Sequence, residues 1–247
     1  MRTFLCALLL TLSCTTDILY NKDDYYYNTG MVFFENGAYR EAATSFLKAL
    51  ECDWSAKKSK CIYQIGDCYR SLAERNDTIF EIASFDTAYH YYNQVALLDE
   101  KGLDAFYKKG ECRYRKGWIN DSLGNVDTAR FYYRESKAIG RSILTQWPQS
   151  IRSGESALLL GHLARKADSD SAIIWYDRVV ESYSDSKAYD NGLYWSGDYY
   201  YSYKNTWPLA INRFTQFILY RRSVFDTLDS HFVIAQRKLA DLESLYE

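Results

Sequence analysis

The amino-acid sequence predicts an all-α protein made of five helix-turn-helix repeats and a closing C-terminal helix. Three observations carry this expectation. A glycine followed by an alanine and then an aromatic residue recurs five times along the chain. Only two prolines, Pro148 and Pro208, occur among 247 residues, whereas a chain rich in strands and turns carries about 5%. Aromatic residues make up 17% of the chain, 24 of them tyrosine, and such amphipathic rings suit packed helical hairpins. A hydrophobic share of 47% with 25% charged residues is that of a chain with a core of its own and excludes disorder as the dominant state.

The repeats read in order as follows. Gly30 is followed by Ala42, Phe46 and Ala49, with Asn36-Gly37 at the turn. Four further copies are Gly66, Ala88, Tyr92, Val95; Gly110, Ala129, Tyr133, Ser136; Gly161, Ala172, Tyr176, Val179; and Gly197, Ala210, Phe214, Phe217. The spacing of the first copy is that of the tetratricopeptide motif, whose period is about 34 residues. Glycine and alanine fit where two helices cross closely, and the aromatic ring fills the space beside them. One hairpin cannot bury its apolar face alone, so the units are expected to stack as an α-solenoid. This gives a tetratricopeptide-repeat domain over residues 25–247, with units near 25–56, 57–100, 101–148, 149–186 and 187–225 and a cap over 226–247. Phe232, Ala235, Leu239 and Leu242 form the buried stripe of that cap. Glycine-to-glycine distances of 36, 44, 51 and 36 residues point to extra residues in the second unit around Glu74–Thr78. In the third unit they fall around Asn120–Gly124 and near Gln146–Pro148. Asn76-Asp77-Thr78 and Asn120-Asp121-Ser122 match the short N-glycosylation pattern and read as loop chemistry.

A formal net charge of −2 gives no global field for nucleic acid or an anionic membrane. Residues 101–141 carry ten Lys and Arg against five acids, an excess that fits a solvated surface or a docking patch for an acidic partner. No sequence feature points to catalysis. His90, His162 and His231 fall in different units with no i, i+4 pair for a metal, and no nucleophile elbow, HExxH, phosphate loop or dinucleotide fingerprint occurs. No cofactor is implied. Asp23-Asp24 and Asp168-x-Asp170 lie at helix starts, where acids complement the helix dipole. Cys52, Cys61, Cys68 and Cys112 show no zinc spacing; Cys68 and Cys112 read as small side chains at helix packing positions.

The chain opens with Arg2 and an apolar run from Phe4 to Leu12, too short for a bilayer span of about 20 residues and suited to a secretory signal. It ends Thr11-Leu12-Ser13-Cys14, which resembles a bacterial lipobox. Residues 1–14 are therefore read as a lipoprotein-type signal with Cys14 as the acylated residue, or as an ordinary cleaved signal, and residues 15–24 as a tether. Thr15 in place of aspartate after the cysteine implies, by that resemblance, an outer-membrane address on the periplasmic face.

Trp147-Pro148-Gln149-Ser150 and Tyr183-Ser184-Asp185-Ser186, each leading into a helix, resemble outer-membrane tetratricopeptide lipoproteins. The BamD family and the tetratricopeptide domain of the Tol-Pal coordinator are the families meant, with Ser184 standing where proline is usual. The resemblance implies a non-enzymatic scaffold in outer-membrane β-barrel protein assembly. Its partners would be other proteins, unfolded polypeptide segments or the outer-membrane assembly complex, with a lipid anchor as the only membrane contact. The alternative is a tetratricopeptide lipoprotein scaffold for cell-division, pilus-assembly or peptidoglycan-linked complexes. The Lys and Asn clamp that chaperone adaptors use for a terminal carboxylate is absent, since Tyr27, Met31 and Gln64 stand in its places.

The candidate peptide groove follows from register. Three residues before each glycine stand Tyr27, Tyr63, Tyr107, Leu158 and Tyr194; one after, Met31, Asp67, Glu111, His162 and Asp198; four after, Phe34, Arg70, Tyr114, Arg165 and Tyr201. The i, i+4, i+7 spacing puts all three positions on one helix face. The tyrosine row is read either as a peptide-binding surface, with the acids and arginines orienting the segment, or as packing between units.

Overall fold

The computed structural model describes residues 22–52, 57–75, 80–167, 170–202, 206–224 and 229–245. The signal, Cys14, Asn76-Asp77-Thr78 and Asp168 lie outside them. Among the described residues the chain forms eleven helices and no strand. They are α1 (Lys22–Glu35), α2 (Tyr39–Leu50), α3 (Lys58–Arg75), α4 (Phe80–Gln94), α5 (Gly102–Ser122), α6 (Val126–Gln146), α7 (Ser153–Lys166), α8 (Ser171–Ser182), α9 (Tyr189–Tyr201), α10 (Trp207–Ser223) and α11 (Ser230–Glu243). Five consecutive hairpins and a closing helix thus make an all-α, tetratricopeptide-type repeat fold. Residues 25–247, one domain in the sequence reading, fall into two compact units, 1–136 and 137–247, divided within α6.

In the first unit each helix packs on its neighbour in sequence from α1 to α5. The reason is visible at the crossings. A Cβ added to Gly30 would lie 2.7 Å from the Phe46 ring, and one added to Gly66 would lie 2.6 Å from the Tyr92 ring, so only glycine admits the aromatic of the second helix. Gly37 turns the first hairpin at φ 72°, a left-handed conformation that favours glycine. Arg75 closes that turn, donating to the Gly37 carbonyl at 2.9 Å and covering Tyr39.

The third hairpin differs from the sequence reading. Its tight crossing is at Gly117, where an added Cβ would lie 2.5 Å from the Tyr133 ring. Gly110, expected there, is buried two turns earlier, and its carbonyl accepts the Ser136 hydroxyl at 2.8 Å. Glycine spacings become 36, 51, 44 and 36. In the third hairpin the extra residues lie in helix length, since α5 and α6 have 21 residues each. Asn120-Asp121-Ser122 is the last turn of α5 rather than a loop, and the connection to α6 turns at Gly124 with φ 78°.

In the second unit α7 packs on α8, α8 on α9, α9 on α10 and α10 on α11, and the first helices also touch, α7 with α9 and α9 with α11. Gly161 faces Tyr176 and Gly197 faces Phe214 as the motif requires. The cap buries Phe232, Ala235 and Leu242, with Leu239 partly buried beside them. Its N-cap Asp229 accepts the His231 amide at 2.9 Å, which satisfies one of the helix's orphan donors. Asp170 also stands at an N-cap, that of α8, but without a side-chain capping bond; it accepts the Tyr199 hydroxyl at 3.1 Å instead. Among the described residues no helix is long and apolar enough to cross a membrane.

Candidate functional site

The predicted rows sort into buried and accessible members. Tyr63, Tyr107 and Tyr194 are buried, as are Asp67 and Asp198, while Tyr27, Phe34, Arg70, Glu111, Tyr114 and Tyr201 are partly buried and Arg165 is exposed. The tyrosine rings pack on the aromatics of their own hairpins: Tyr27 on Phe46, Tyr63 on Tyr92 and Tyr194 on Phe214, with centroids 5.5, 5.8 and 6.3 Å apart. In the third hairpin the ring that packs this way is Tyr114, on Tyr133 at 6.0 Å. It stands three residues before Gly117, so the register correction keeps the row a tyrosine row. Tyr107 moves out of it and bonds to Glu111 at 3.2 Å. The equivalent residues one and four places after Gly117 are Trp118 and Asp121.

In the first unit the structure brings together Asp67 and Arg70 of α3 with Lys108 and Glu111 of α5. Asp67 Oδ1 accepts the Tyr92 hydroxyl and Lys108 Nζ, each at 2.5 Å, and Lys108 stands 4.5 Å over the Tyr63 ring. Arg70 Nη1 reaches Glu74 at 2.7 Å. Burial lowers the Lys108 pKa even beside Asp67 and raises that of Glu111, while burial and then the Asp67 charge push Tyr92 well up. Burial also raises the Cys68 thiol to about 12 and the Cys112 thiol further. These are inert packing residues rather than nucleophiles, and no disulfide joins the four described cysteines.

The second unit repeats the arrangement. Asp198 holds Arg165 Nη2 at 2.8 Å and also pairs with Lys238 of α11. Lys238 lies 40 residues beyond Asp198, and Lys108 lies 41 beyond Asp67, so each aspartate takes a lysine from the next helix but one, α5 in the first unit and the cap α11 in the second. Arg165 also covers Trp195 at 4.7 Å. His162 and His231 flank that same indole at 5.2 and 5.6 Å, and His162 shares a 3.1 Å hydrogen bond with Tyr176. Among the described residues no group of three or more His, Cys, Asp and Glu converges on a metal position. A cavity of about 470 Å³ lies between the loops before α7 and α9, lined by Ser150, Arg152, Glu155, Tyr183, Asp185 and Lys187 among others.

The sequence reading missed Trp118, Lys108, Trp195 and Lys238. A signal for Trp118 was present: Gly117 precedes Ala129 and Tyr133 by the same 12 and 16 residues that separate Gly30 from Ala42 and Phe46.

Comparison with known proteins agrees with that register. A family model described as tetratricopeptide repeat matches residues 23–53 and 110–139, which sets Gly30 and Gly117 each seven residues after the start of its match. No curated protein sequence matches the chain. Among solved structures, the Rap conjugation gene regulator of the plasmid pLS20, in complex with the Phr* peptide, superposes with a TM-score of 0.53 at 17% identity. The match covers 95% of this chain and 61% of the regulator's. The chain therefore shares a helical-repeat fold with part of a longer protein.

Proposed function

We propose that this protein is a non-enzymatic scaffold that captures polypeptide segments along the faces of its first helices. The observation that carries the reading is the row four places after each crossing glycine, Phe34, Arg70, Asp121, Arg165 and Tyr201, which stays at least partly accessible in every hairpin while the rings three places before the glycine are packed. In the second unit α7, α9 and α11 lie side by side, so such positions form rows rather than isolated spots. The pLS20 regulator, similar in fold, is in complex with a peptide, which supports the same use of the fold here. The proposal extends to place. The apolar run ending at Ser13-Cys14 supports a lipid anchor at Cys14 on the periplasmic face of an outer membrane, and the resemblance to BamD-like lipoproteins supports work in β-barrel protein assembly.

A photo-crosslinking residue in place of the exposed Arg165, activated in the native envelope, tests the function. Capture of unfolded outer-membrane proteins or of the assembly complex is expected. Capture confined to division, pilus or peptidoglycan proteins would replace the assembly role, and no capture of any polypeptide would refute the scaffold. The anchor is tested separately. Stable membrane binding takes two or more acyl chains, so Cys14→Ser should move the protein to the soluble fraction, and wild type that takes up no radiolabelled fatty acid would refute the lipid.

A further inference from the structure

We infer that the outer face of the closing helix α11 is a dimer surface, taking a second copy of this chain antiparallel to itself about a twofold axis level with Leu239. α11 packs on α10 and touches α9, and Phe232, Ala235 and Leu242 belong to the core on that side. The opposite side carries Val233, Ile234, Arg237, Ala240 and Asp241, whose i, i+1, i+4, i+7, i+8 spacing is one helix face, with Leu245 in the turn after it. All six are exposed, Val233 by 51%, Ile234 by 39% and Leu245 by 64%. A helix side that stays in water is normally polar, whereas this one keeps three large aliphatic side chains around two charges.

The two charges identify what covers the face. Among the described residues neither the Arg237 nor the Asp241 side chain has an ion pair or a hydrogen bond. They stand one turn apart on the same helix yet are not joined, and their order, cation before acid, is the less favourable one for an i, i+4 pair. Arg237 lies two residues before Leu239 and Asp241 two after it. A second copy laid antiparallel, with its Leu239 at the same level, therefore sets each Arg237 against the second copy's Asp241, and the pair forms twice. The same operation sets Val233 against the second copy's Leu245, since each stands six residues from Leu239. A twofold contact has to be self-complementary in this way. Parallel pairing would instead set arginine against arginine and aspartate against aspartate, which repulsion opposes. One helix face per copy is a small contact, so the association is reversible and belongs in the micromolar range.

Sedimentation equilibrium of the full chain in a density-matched detergent, over micromolar concentrations, tests the surface. Wild type should show a monomer–dimer equilibrium. Arg237→Asp and Asp241→Arg each bring like charges together at both symmetric places, and each should weaken the dimer about a hundredfold, the scale of juxtaposed like charges in an interface. The double change Arg237→Asp/Asp241→Arg should restore it. Mixing the two single variants should restore it as well, because one then supplies only acids and the other only cations. Wild type that stays monomeric, as when the face takes another polypeptide instead, would overturn the proposal. A dimer that neither single change weakens would also overturn it, since the contact would lie elsewhere on the chain. Weakening that neither the double change nor the mixture repairs would overturn the antiparallel pairing of Arg237 with Asp241.

Discussion

Replacing Gly161 by alanine adds one carbon where α7 crosses α8, and the structure gives the sign of its effect. The new Cβ would lie 2.4 Å from Cε1 and 2.6 Å from Cδ1 of Tyr176. That ring cannot retreat: it is wholly buried, its hydroxyl is bonded to His162, and it stacks on Trp195 at 6.5 Å. Helix propensity alone favours alanine by about 1 kcal/mol. Overpacking costs about 1–3 kcal/mol, and a contact this short belongs at the upper end, which leaves a net loss of about 2 kcal/mol. For a chain of this size that is a fall of roughly 4–8 °C in melting temperature, readable by circular dichroism at 222 nm. Gly161→Ala/Tyr176→Leu should cost less than the sum of its two single changes, because the smaller side chain makes room. A rise in melting temperature for Gly161→Ala, the response of an uncrowded helix glycine, would refute the crossing. Gly117→Ala should also destabilise, by less, since Tyr133 is only partly buried.

Three further outcomes are expected. Tyr63→Ala should cost about 3–5 kcal/mol in urea unfolding, as for a large aromatic removed from a core; an unchanged midpoint would show that the ring is not packed. Asp67→Ala should cost a similar amount, about 3–5 kcal/mol, because it leaves Lys108 buried without its carboxylate, and Asp67→Leu/Lys108→Met should recover part of it. Burial raises the Asp229 pKa, but the His231 amide, His231 and Arg221 outweigh it and hold the group below its ordinary 3.8. A depressed carboxylate stabilises the fold above its unfolded value and loses that contribution as pH falls through it. Asp229→Ala should therefore cost about 1 kcal/mol near neutrality and progressively less below pH 3.8, and a pH-independent difference would show that the cap does not depend on its charge.

The repeat was legible because its signature is steric: a missing Cβ opposite a ring leaves a mark in the sequence wherever two helices cross. The third copy was harder. Gly110 and Gly117 are two turns apart and share a helix face, so both look like crossing positions, and only the 12- and 16-residue distances to Ala129 and Tyr133 separate them. The tyrosine row was legible as a row, with binding and packing both left open. A tyrosine reads the same on a surface or in a core, and what settles Tyr63 and Tyr92 is a set of partners distant in sequence: Asp67 lies 25 residues before Tyr92 and 41 before Lys108, which covers the Tyr63 ring. Trp118 followed from the same error, since the wrong glycine hides it.

The inward lysines also change what a solution of this protein feels electrostatically. Lys108 and Lys116 are turned into the first unit against Asp67 and Asp86, with Arg113 beside Asp86 and Glu135. Asp67 and Asp86 lie before residue 101, so the excess counted over 101–141 is partly neutralised by the preceding hairpin. What faces solvent is Arg115 and the α6 series Arg130, Arg134, Lys137 and Arg141. At physiological ionic strength the screening length is about 8 Å, which weakens that outer series while the packed pairs persist. Added salt should accordingly elute the protein early from a cation exchanger yet leave its unfolding midpoint almost where it was.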